Sequence, residues 1–527
     1  MRKALNVVED KNVFYLTFMK YFHFNMNIIA VDIGTTNCKA VVVNHNGKAL
    51  KTFEYSTKPI QSKPGWNEQN ANDIFNTVLK LLLQSLSFCK EKNVACVSFS
   101  AAMHSLLAVD ENGKPLMNMM TWADLRSAKY AHDLKSKPVA KKIYETTGVP
   151  VHAMSPLCKL IWMKHESGKI FAAAHKFISI KEYIFFKLFG KYIVDYSIAA
   201  ATGLFDEKNI CWYNEALNAA GITKAHLSEL VSTEQVESNL LPAIKLKLKI
   251  KKEIPFVLGA SDGALANIGC GLFNAKNIAV TVGTSGAARI TSNKYIIDKH
   301  QRLFCYYVNE GMYISGGAVN NGGVALQWLV EKVLQKNFKD EKIFEKIFKE
   351  AMQVIPGADG LLFLPYIFGE RSPMWDENAK GALIGLASSH TTAHIVRAVI
   401  EGICFGLCDI INAVEETSGS IENIYLSGGI IKSKSWVQLF ADVTGKKIIV
   451  NSMADASALG AAFVGMKAIG IIHSFNEASV FQKNIKSVQP GLKQHKMYKS
   501  YFKIYKRLYP LLKNTFEDIS VIKEDNA

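Results

Sequence analysis

The sequence predicts an α/β protein built of two halves related by duplication, with a cleft between them. Three observations predict it. Ile29-Ala30-Val31-Asp32-Ile33-Gly34-Thr35-Thr36 recurs as Ile278-Ala279-Val280-Thr281-Val282-Gly283-Thr284-Ser285, a self-similarity at a spacing of about one domain. Each copy is a short β-branched run, the pattern of a buried strand, that ends in a Gly-Thr turn and leads to another strand. Along the rest of the chain strand and helix patterns alternate, as mixed sheets covered by helices require.

The bulk numbers set the frame. The chain has 527 residues, 49% hydrophobic and 20% charged, which is globular composition with enough chain for a large core. Its formal net charge is +16, but lysine is spread along the chain, as in Lys245, Lys247, Lys249, Lys251 and Lys252, and no nucleic-acid motif accompanies it. Nucleic acid is therefore not an expected partner. Nine cysteines are scattered without a CxxC pair, and Cys404 and Cys408 share a helical face as small apolar residues; this reads as a reducing, cytoplasmic protein. No apolar run reaches the length of a membrane span.

In chain order, residues 1–25 read as a poorly ordered N-terminal extension. The aromatic stretch Val13–Phe24 is broken by Lys20 and lacks a small-residue cleavage site, so it is a poor signal peptide. The first repeat strand continues into Cys38–Val43 and the turn signal Asn46-Gly47. Asn72–Leu86 reads as an amphipathic helix and Val94–Ser100 as a strand. Gly322–Leu334, His390–Glu415 and Ala456–Ala468 read as helices; Ala287–Thr291, Ile424–Ser427 and Lys447–Val450 read as strands. The halves divide as residues 26–271 and 272–500, and the lysine- and tyrosine-rich segment after Gln489 reads as one last helix, with residues 501–527 as a C-terminal tail.

No GxxxxGK[ST] and no GxGxxG occurs, yet the repeated turn suits phosphate. Glycine lets backbone come close, successive N–H groups can point at one anion, and the hydroxyls add donors. Two such turns across a cleft could grip a triphosphate from both sides. The copies differ at one position: Asp32 in the first is Thr281 in the second, so one carboxylate is left to serve a Mg²⁺ ion, or to cap the turn. Asp262, in Gly259-Ala260-Ser261-Asp262-Gly263-Ala264, stands between a strand and a small-residue helix near the junction of the halves. It is either a helix cap or a general base for an acceptor hydroxyl. Ser100–Ser105 ends a strand and leads toward Trp122, a flat apolar face, with Asp124 and Arg126 of opposite charge two residues apart. Glycine-rich loops at Gly316-Gly317, Asn320–Gly323 and Ser427–Ser433 could approach an adenine or ribose.

These residues resemble the FGGY family of carbohydrate kinases. The likeness is carried by Asp-Ile-Gly-Thr-Thr at 32–36, Gly-Trp-Asn-Glu-Gln at 65–69, Met103-His104, Trp-Ala-Asp-Leu-Arg at 122–126, Asp262-Gly263 and Gly283-Thr284. It continues through Gln327-Trp328, Gly-Glu-Arg-Ser-Pro at 369–373, Arg397–Gly402 and Ser427-Gly428-Gly429. The resemblance implies two ribonuclease H-like domains of the actin-like ATPase fold and transfer of phosphate from ATP, with Mg²⁺, to a sugar. It implies Asp262 as catalytic base and Asp32 as the residue that positions Mg²⁺. It further implies Thr35, Thr36, Gly283 and Thr284 at the phosphates, Gly323, Gln327, Gly429 and Ser433 on the nucleotide side, and Met103, His104, Trp122, Asp124 and Arg126 with Asp262 around the sugar. Ala102 stands where many relatives have glutamine, and Ser433 where the family often has asparagine. Ala-Met-His-Ser-Leu, Trp-Ala-Asp-Leu-Arg-Ser and Val-Pro-Val-His-Ala-Met-Ser-Pro-Leu look most like the gluconate-phosphorylating members, which implies D-gluconate as acceptor. A xylulose-type ketose kinase is the alternative, and a non-metabolic actin-like ATPase the remote one. A carboxylate on the acceptor needs a cationic or N–H-rich partner, for which Arg126, Lys159, His104 and His152 are all open. The expected partner is thus a small sugar acid or sugar, with no membrane; a homodimer is compatible with the sequence.

Overall fold

The computed structural model describes residues 26–450, 455–477 and 486–525; the expected N-terminal extension, residues 1–25, lies outside them. The first sheet grows from strand β1 (Asn27–Ile33), whose Ile28–Val31 core is fully buried, as a strand covered on both faces must be. It runs antiparallel to β2 (Asn37–Asn44) across the Gly34-Thr35-Thr36 turn, and β2 passes through Asn46-Gly47 to β3 (Ala49–Ser56). Helix α1 (Ala71–Cys89) starts where the Asn70 side chain accepts from the Asn72 and Asp73 amides. Its stripe of Ile74, Val78, Leu81, Leu82 and Leu86 is buried, and it returns the chain to β4 (Val94–Ala101), parallel to β1. Strands β5 (Val236–Glu237) and β6 (Phe256–Ser261) complete the order β5-β6-β4-β1-β2-β3. Helix α2 (Asp262–Gly269) follows β6 directly.

The second sheet repeats the plan. Strand β7 (Asn277–Val282) is antiparallel to β8 (Gly286–Ser292), which pairs through β10 (Met312–Val319) with β9 (Phe304–Asn309). After helices α3 (Gly323–Trp328) and α4 (Thr392–Ser418), β11 (Asn423–Gly428) lies parallel to β7. Helix α5 (Lys434–Thr444), β12 (Lys447–Val450), helix α6 (Ala456–Ala468), β13 (Lys486–Val488) and helix α7 (Leu492–Asp525) finish the chain. The order is β9-β10-β8-β7-β11-β12-β13. The duplication seen in eight residues extends to register. Asp32 faces Ser100 across β1 and β4, and Thr281 faces Ser427 across β7 and β11. The Ser100 hydroxyl donates to Asp32 Oδ1 at 2.6 Å, and the Thr281 and Ser427 hydroxyls lie 2.9 Å apart.

Three features depart from the sequence expectation. The helix expected over Gly322–Leu334 is α helical only to Trp328 and ends in a wider π turn, Leu329–Val333. Helix α7 runs unbroken through residue 500, where a tail was expected to begin, because Tyr498, Phe502 and Tyr505, spaced by four and three, bury one face against the second core. Helix α6 belongs to the second half by sequence but packs on β1, β4 and α2, and its Ala461–Val464 are fully buried in the first core.

Candidate active site

Strands β1, β4 and β6 are parallel neighbours, so their C-terminal ends meet at one edge of the first sheet, the side on which α/β sheets bind ligands. Asp32, the Met103-His104 pair beyond β4, and Asp262 are all carried there. Opposite them, β7 ends in the second Gly-Thr turn. Between the two lies a cavity of about 740 Å³, lined by Thr35, Thr36, Met103, His104, Trp122 and Asp262 from one side and by Gly283, Thr284, Arg289, Tyr306 and Arg371 from the other.

Asp262 does not cap its helix. Ser261 does, its Oγ accepting from the Ala264 amide, so Asp262 is the first helical residue, and among the described residues its carboxylate accepts only from the Gly263 amide, at 2.7 Å. A glycine two residues before Ser261 makes this path possible. Gly259 has φ +67°, and a Cβ there would lie 1.7 Å from the Phe99 carbonyl oxygen. Burial raises the Asp262 carboxyl above the ordinary range, while Arg289, the Gly263 N–H and Arg371 draw it back part of the way.

Burial also pushes Asp32 up to about 6; the Ser100 hydroxyl opposes this and the Asp262 charge adds to it. The nearby Lys39 ammonium is taken by Asp455, at 3.0 Å. Two neighbouring half-buried carboxylates, each held above its ordinary range, fit a Mg²⁺ ion, which takes one or two carboxylates and keeps several waters. Such an ion would supply positive charge against the phosphate oxygens of a nucleotide.

Both turns are braced through their carbonyls. The Thr35 carbonyl accepts from Thr57 Oγ1 and Gln69 Nε2, and Trp122 Nε1–H donates to Thr35 Oγ1 at 3.3 Å. The second turn is braced by the loop before α3: the Gly323 amide donates to the Gly283 carbonyl at 2.7 Å, and the Gly322 and Val324 amides donate to that of Thr284. The approach is so close that a Cβ on Gly322 would sit 2.6 Å from the Ser285 carbonyl oxygen.

On the acceptor side the structure separates residues that the sequence grouped. Met103, His104 and Trp122 line the cavity; Asp124 and Arg126 do not. The Arg126 guanidinium pairs with Asp124 at 2.7 Å and Glu68 at 2.6 Å, and its face lies 3.5 Å from the Trp66 ring centre. Asp124 also accepts from the Asn67 amide at 2.7 Å. The pair is a buried pillar that holds Gly65–Asn67 against the cavity, with Arg126 Nε and Nη2 turned onto these carboxylates and away from the cavity lining. Lys159 is also spent, donating to the His104 and Thr121 carbonyls at 2.6 and 2.7 Å; burial draws its pKa down to about 7. His104 has a left-handed backbone, φ +66°, unusual for a side-chain-bearing residue and held by that lysine. Burial lowers its pKa to about 3, so the ring is neutral; Nδ1–H donates to the Ala201 carbonyl at 2.7 Å and Nε2 is left as an acceptor. His152, lowered to about 4 chiefly by burial, is neutral too, its Nδ1 accepting from the Met154 amide. Among the described residues three cations line the cavity: Lys63, exposed at its rim with its ammonium 5.2 Å from the Trp66 ring centre, and Arg289 and Arg371 deeper in; none has an assigned role in the sequence reading. Arg371 sits in the Gly-Glu-Arg-Ser-Pro motif, but nothing local marks Arg289.

Of the expected nucleotide-side residues, Gly283 and Thr284 line the cavity, and Gly323 packs behind them. Gln327, Gly429 and Ser433 lie outside its lining. Gln327 Nε2 donates to Glu331, and Ser433 Oγ caps α5 by accepting from the Trp436 amide. Gly429 opens the turn after β11, beside Val282 at the end of β7.

Duplicated sheets with Gly-Thr turns on both walls of one cleft define an actin-like phosphotransferase with two ribonuclease H-like domains. Residues 27–269 match the N-terminal domain of the FGGY family of carbohydrate kinases, and residues 278–469 its C-terminal domain. The chain belongs to the FGGY family of carbohydrate kinases, enzymes that use ATP with Mg²⁺ as phosphoryl donor. Gluconokinase of Bacillus subtilis (strain 168) is 37% identical over 94% of this chain and 97% of its own, and a xylulose kinase of Staphylococcus xylosus is 29% identical over 92% and 99%. Among solved structures, gluconate kinase from Lactobacillus acidophilus superposes with TM-score 0.88 at 33% identity, over 94% of this chain and 99% of that one. A ligand-bound xylulose kinase from the same organism gives 0.89 at 32%, over 94% and 100%. The overall fold therefore does not separate these two acceptors. Among the described residues no helix is long and apolar enough to cross a membrane.

Proposed function

We propose that this enzyme transfers the γ-phosphoryl group of ATP to the C6 hydroxyl of D-gluconate, giving 6-phospho-D-gluconate. The observation that carries the chemistry is Asp262: a carboxylate released from capping by Ser261, facing the cavity between two Gly-Thr turns. In this reading Asp262 accepts the proton of the acceptor hydroxyl as that oxygen attacks phosphorus. Asp32 positions Mg²⁺. The amides and hydroxyls of Thr35, Thr36, Gly283 and Thr284 orient the phosphates, and Gly323, Gln327, Gly429 and Ser433 form the outer nucleotide side. Met103 and Trp122 give the acceptor an apolar wall, and the neutral His104 Nε2 accepts from one of its hydroxyls. Residues 26–271 hold the sugar and residues 272–500 the nucleotide, in a cytoplasmic enzyme. Support for the acid acceptor comes from the 37% identical gluconokinase and from two arginines facing the cavity. The test is a coupled ADP-release assay on D-gluconate, D-xylulose, D-ribulose, glycerol and D-glucose. A preference for gluconate over xylulose of at least about tenfold in kcat/KM is expected, the scale on which an unpaired site charge discriminates. Equal or better use of xylulose would overturn the acceptor while leaving the kinase.

A further inference from the structure

The cavity holds more positive charge than its own residues neutralise. Arg289 stands on β8, opposite Ala279 and Gly316, so a sheet fixes its backbone. Its guanidinium lies against Gly263, where a Cβ would come 3.1 Å from Nε and 3.3 Å from Cζ. Its Nε–H is buried without a hydrogen-bond partner, and among the described residues Arg289 forms no ion pair within 4.0 Å. Arg371 places its guanidinium 4.7 Å from the Trp122 ring centre and donates from Nη2 to the Val319 carbonyl at 2.9 Å, while its Nε–H is equally unpartnered. Glu370 opposes its charge without bonding to the guanidinium: among the described residues the two form no ion pair within 4.0 Å, and the carboxylate accepts instead from the Asn320 and Arg371 amides and from Asn321 Nδ2. The Tyr306 hydroxyl, on the same wall, is buried without a partner as well. Among the described residues, two guanidinium groups and the rim ammonium of Lys63 stand against one cavity-lining carboxylate, Asp262, and His104 is neutral.

We propose that Arg289 and Arg371 together form the receptor for the carboxylate of the acceptor, with Arg289 setting the preference for a sugar acid over a neutral polyol. The inference rests on the proposed reading of the acceptor as an aldonate. A guanidinium presents a planar fork of N–H groups that matches a carboxylate, and a strand-borne arginine with an empty Nε–H meets that geometry without rearrangement. A neutral acceptor leaves the same N–H groups unpaired in a site already short of negative charge, which is the condition under which a site discriminates most strongly. Arg289 shares the space beside Gly263 with Met103, and Arg371 lies over Trp122, so both are assigned to the acceptor instead of the nucleotide.

The test compares D-gluconate with D-gluconamide, which keeps the shape and removes the charge, on the wild type and on Arg289→Gln. The wild type is expected to favour gluconate by about tenfold or more in kcat/KM, and Arg289→Gln to lower that ratio by about tenfold or more, mostly through KM for gluconate. A variant that loses both acceptors in parallel, with the ratio unchanged, would assign Arg289 to the phosphoryl group or to Asp262 and overturn the receptor. A wild type that prefers gluconate, with an Arg289→Gln variant that keeps the preference, overturns the receptor alone. A wild type that uses gluconamide as well as gluconate overturns both the receptor and the acid acceptor. That last measurement needs no folded variant.

Discussion

Asp262 is available to react because its neighbour is not: Ser261 spends its hydroxyl on the helix, and the aspartate keeps its carboxylate. Asp262→Asn is expected to lower kcat by about 10²-fold or more, the scale of a lost general base, with ATP affinity nearly unchanged. A variant that keeps over half of wild-type kcat would remove Asp262 from the chemistry. Asp32 makes a second prediction through its raised pKa. An acid whose folded pKa lies above its unfolded value stabilises the fold most below the unfolded value, and this contribution is lost as pH rises through the folded one. For Asp32 that window runs from about 4 to about 6. Metal-free enzyme should therefore lose stability across that interval, and Asp32→Asn should raise Tm at pH 7.5 without Mg²⁺ while weakening Mg²⁺ activation. Activation of the wild type should itself weaken below about pH 6, as protons compete for the carboxylate. A Tm that falls in Asp32→Asn would show that the charge is already compensated. Much at this scale was legible: the two turns, Met103, His104, Trp122 and Asp262 sit in contiguous motifs and come to one cavity. That Arg126 turns onto Glu68, 58 residues away, and out of the cavity lining was not legible, because spacing along one segment says nothing about a charge arriving from another. Arg289 gave no signal at all, since a lone arginine in a strand becomes notable only when its partners can be counted.

At the scale of elements, the acceptor wall hangs on two internal braces. One is the Arg126, Asp124 and Glu68 cluster that fixes the segment around Trp66. Arg126→Ala should destabilise the fold by about 3–5 kcal/mol, the cost of stranding buried charges. Because Arg126 faces no cavity, it should impair charged and neutral acceptors alike; a loss confined to gluconate, with Tm unchanged, would restore Arg126 to the binding site. The other brace is Lys159, whose ammonium ties the His104 carbonyl to that of Thr121. Lys159→Met should free the left-handed backbone at His104 and raise KM for the acceptor, with KM for ATP little changed, at about 1–3 kcal/mol of stability for the stranded carbonyls. The sequence showed these elements by their periodicity but not their ends. The π turn after α3 depends on how that helix end meets the core, which no local pattern carries; the last helix was legible, and only its run past residue 500, where Phe502 and Tyr505 reach the second core, was not.

At the scale of the molecule, two walls each bearing a phosphate turn call for a cleft that closes over its substrates and excludes water. Gluconate together with a non-hydrolysable ATP analogue is expected to reduce the radius of gyration in small-angle scattering, and an unchanged value would argue against closure. The walls are not independent bodies. Arg371 reaches across to Trp122, and the Ala153 amide donates to Glu377 Oε1 at 2.9 Å. The duplication predicted two halves correctly as sheets, but it could not show that the chain recrosses, because the helical pattern of α6 looks the same on either side.

That recrossing has a consequence for synthesis. A ribosome finishes the first sheet nearly two hundred residues before it makes the helix that covers it. Gly269 and Gly460 let α2 and α6 touch backbone to backbone, each without room for a Cβ. The nascent first half must wait with the α6-facing side of β1 and β4 bare, a surface for chaperones to shield. A fragment ending at residue 271 should accordingly aggregate when expressed alone, and supplying residues 455–477 as a separate peptide should rescue its solubility.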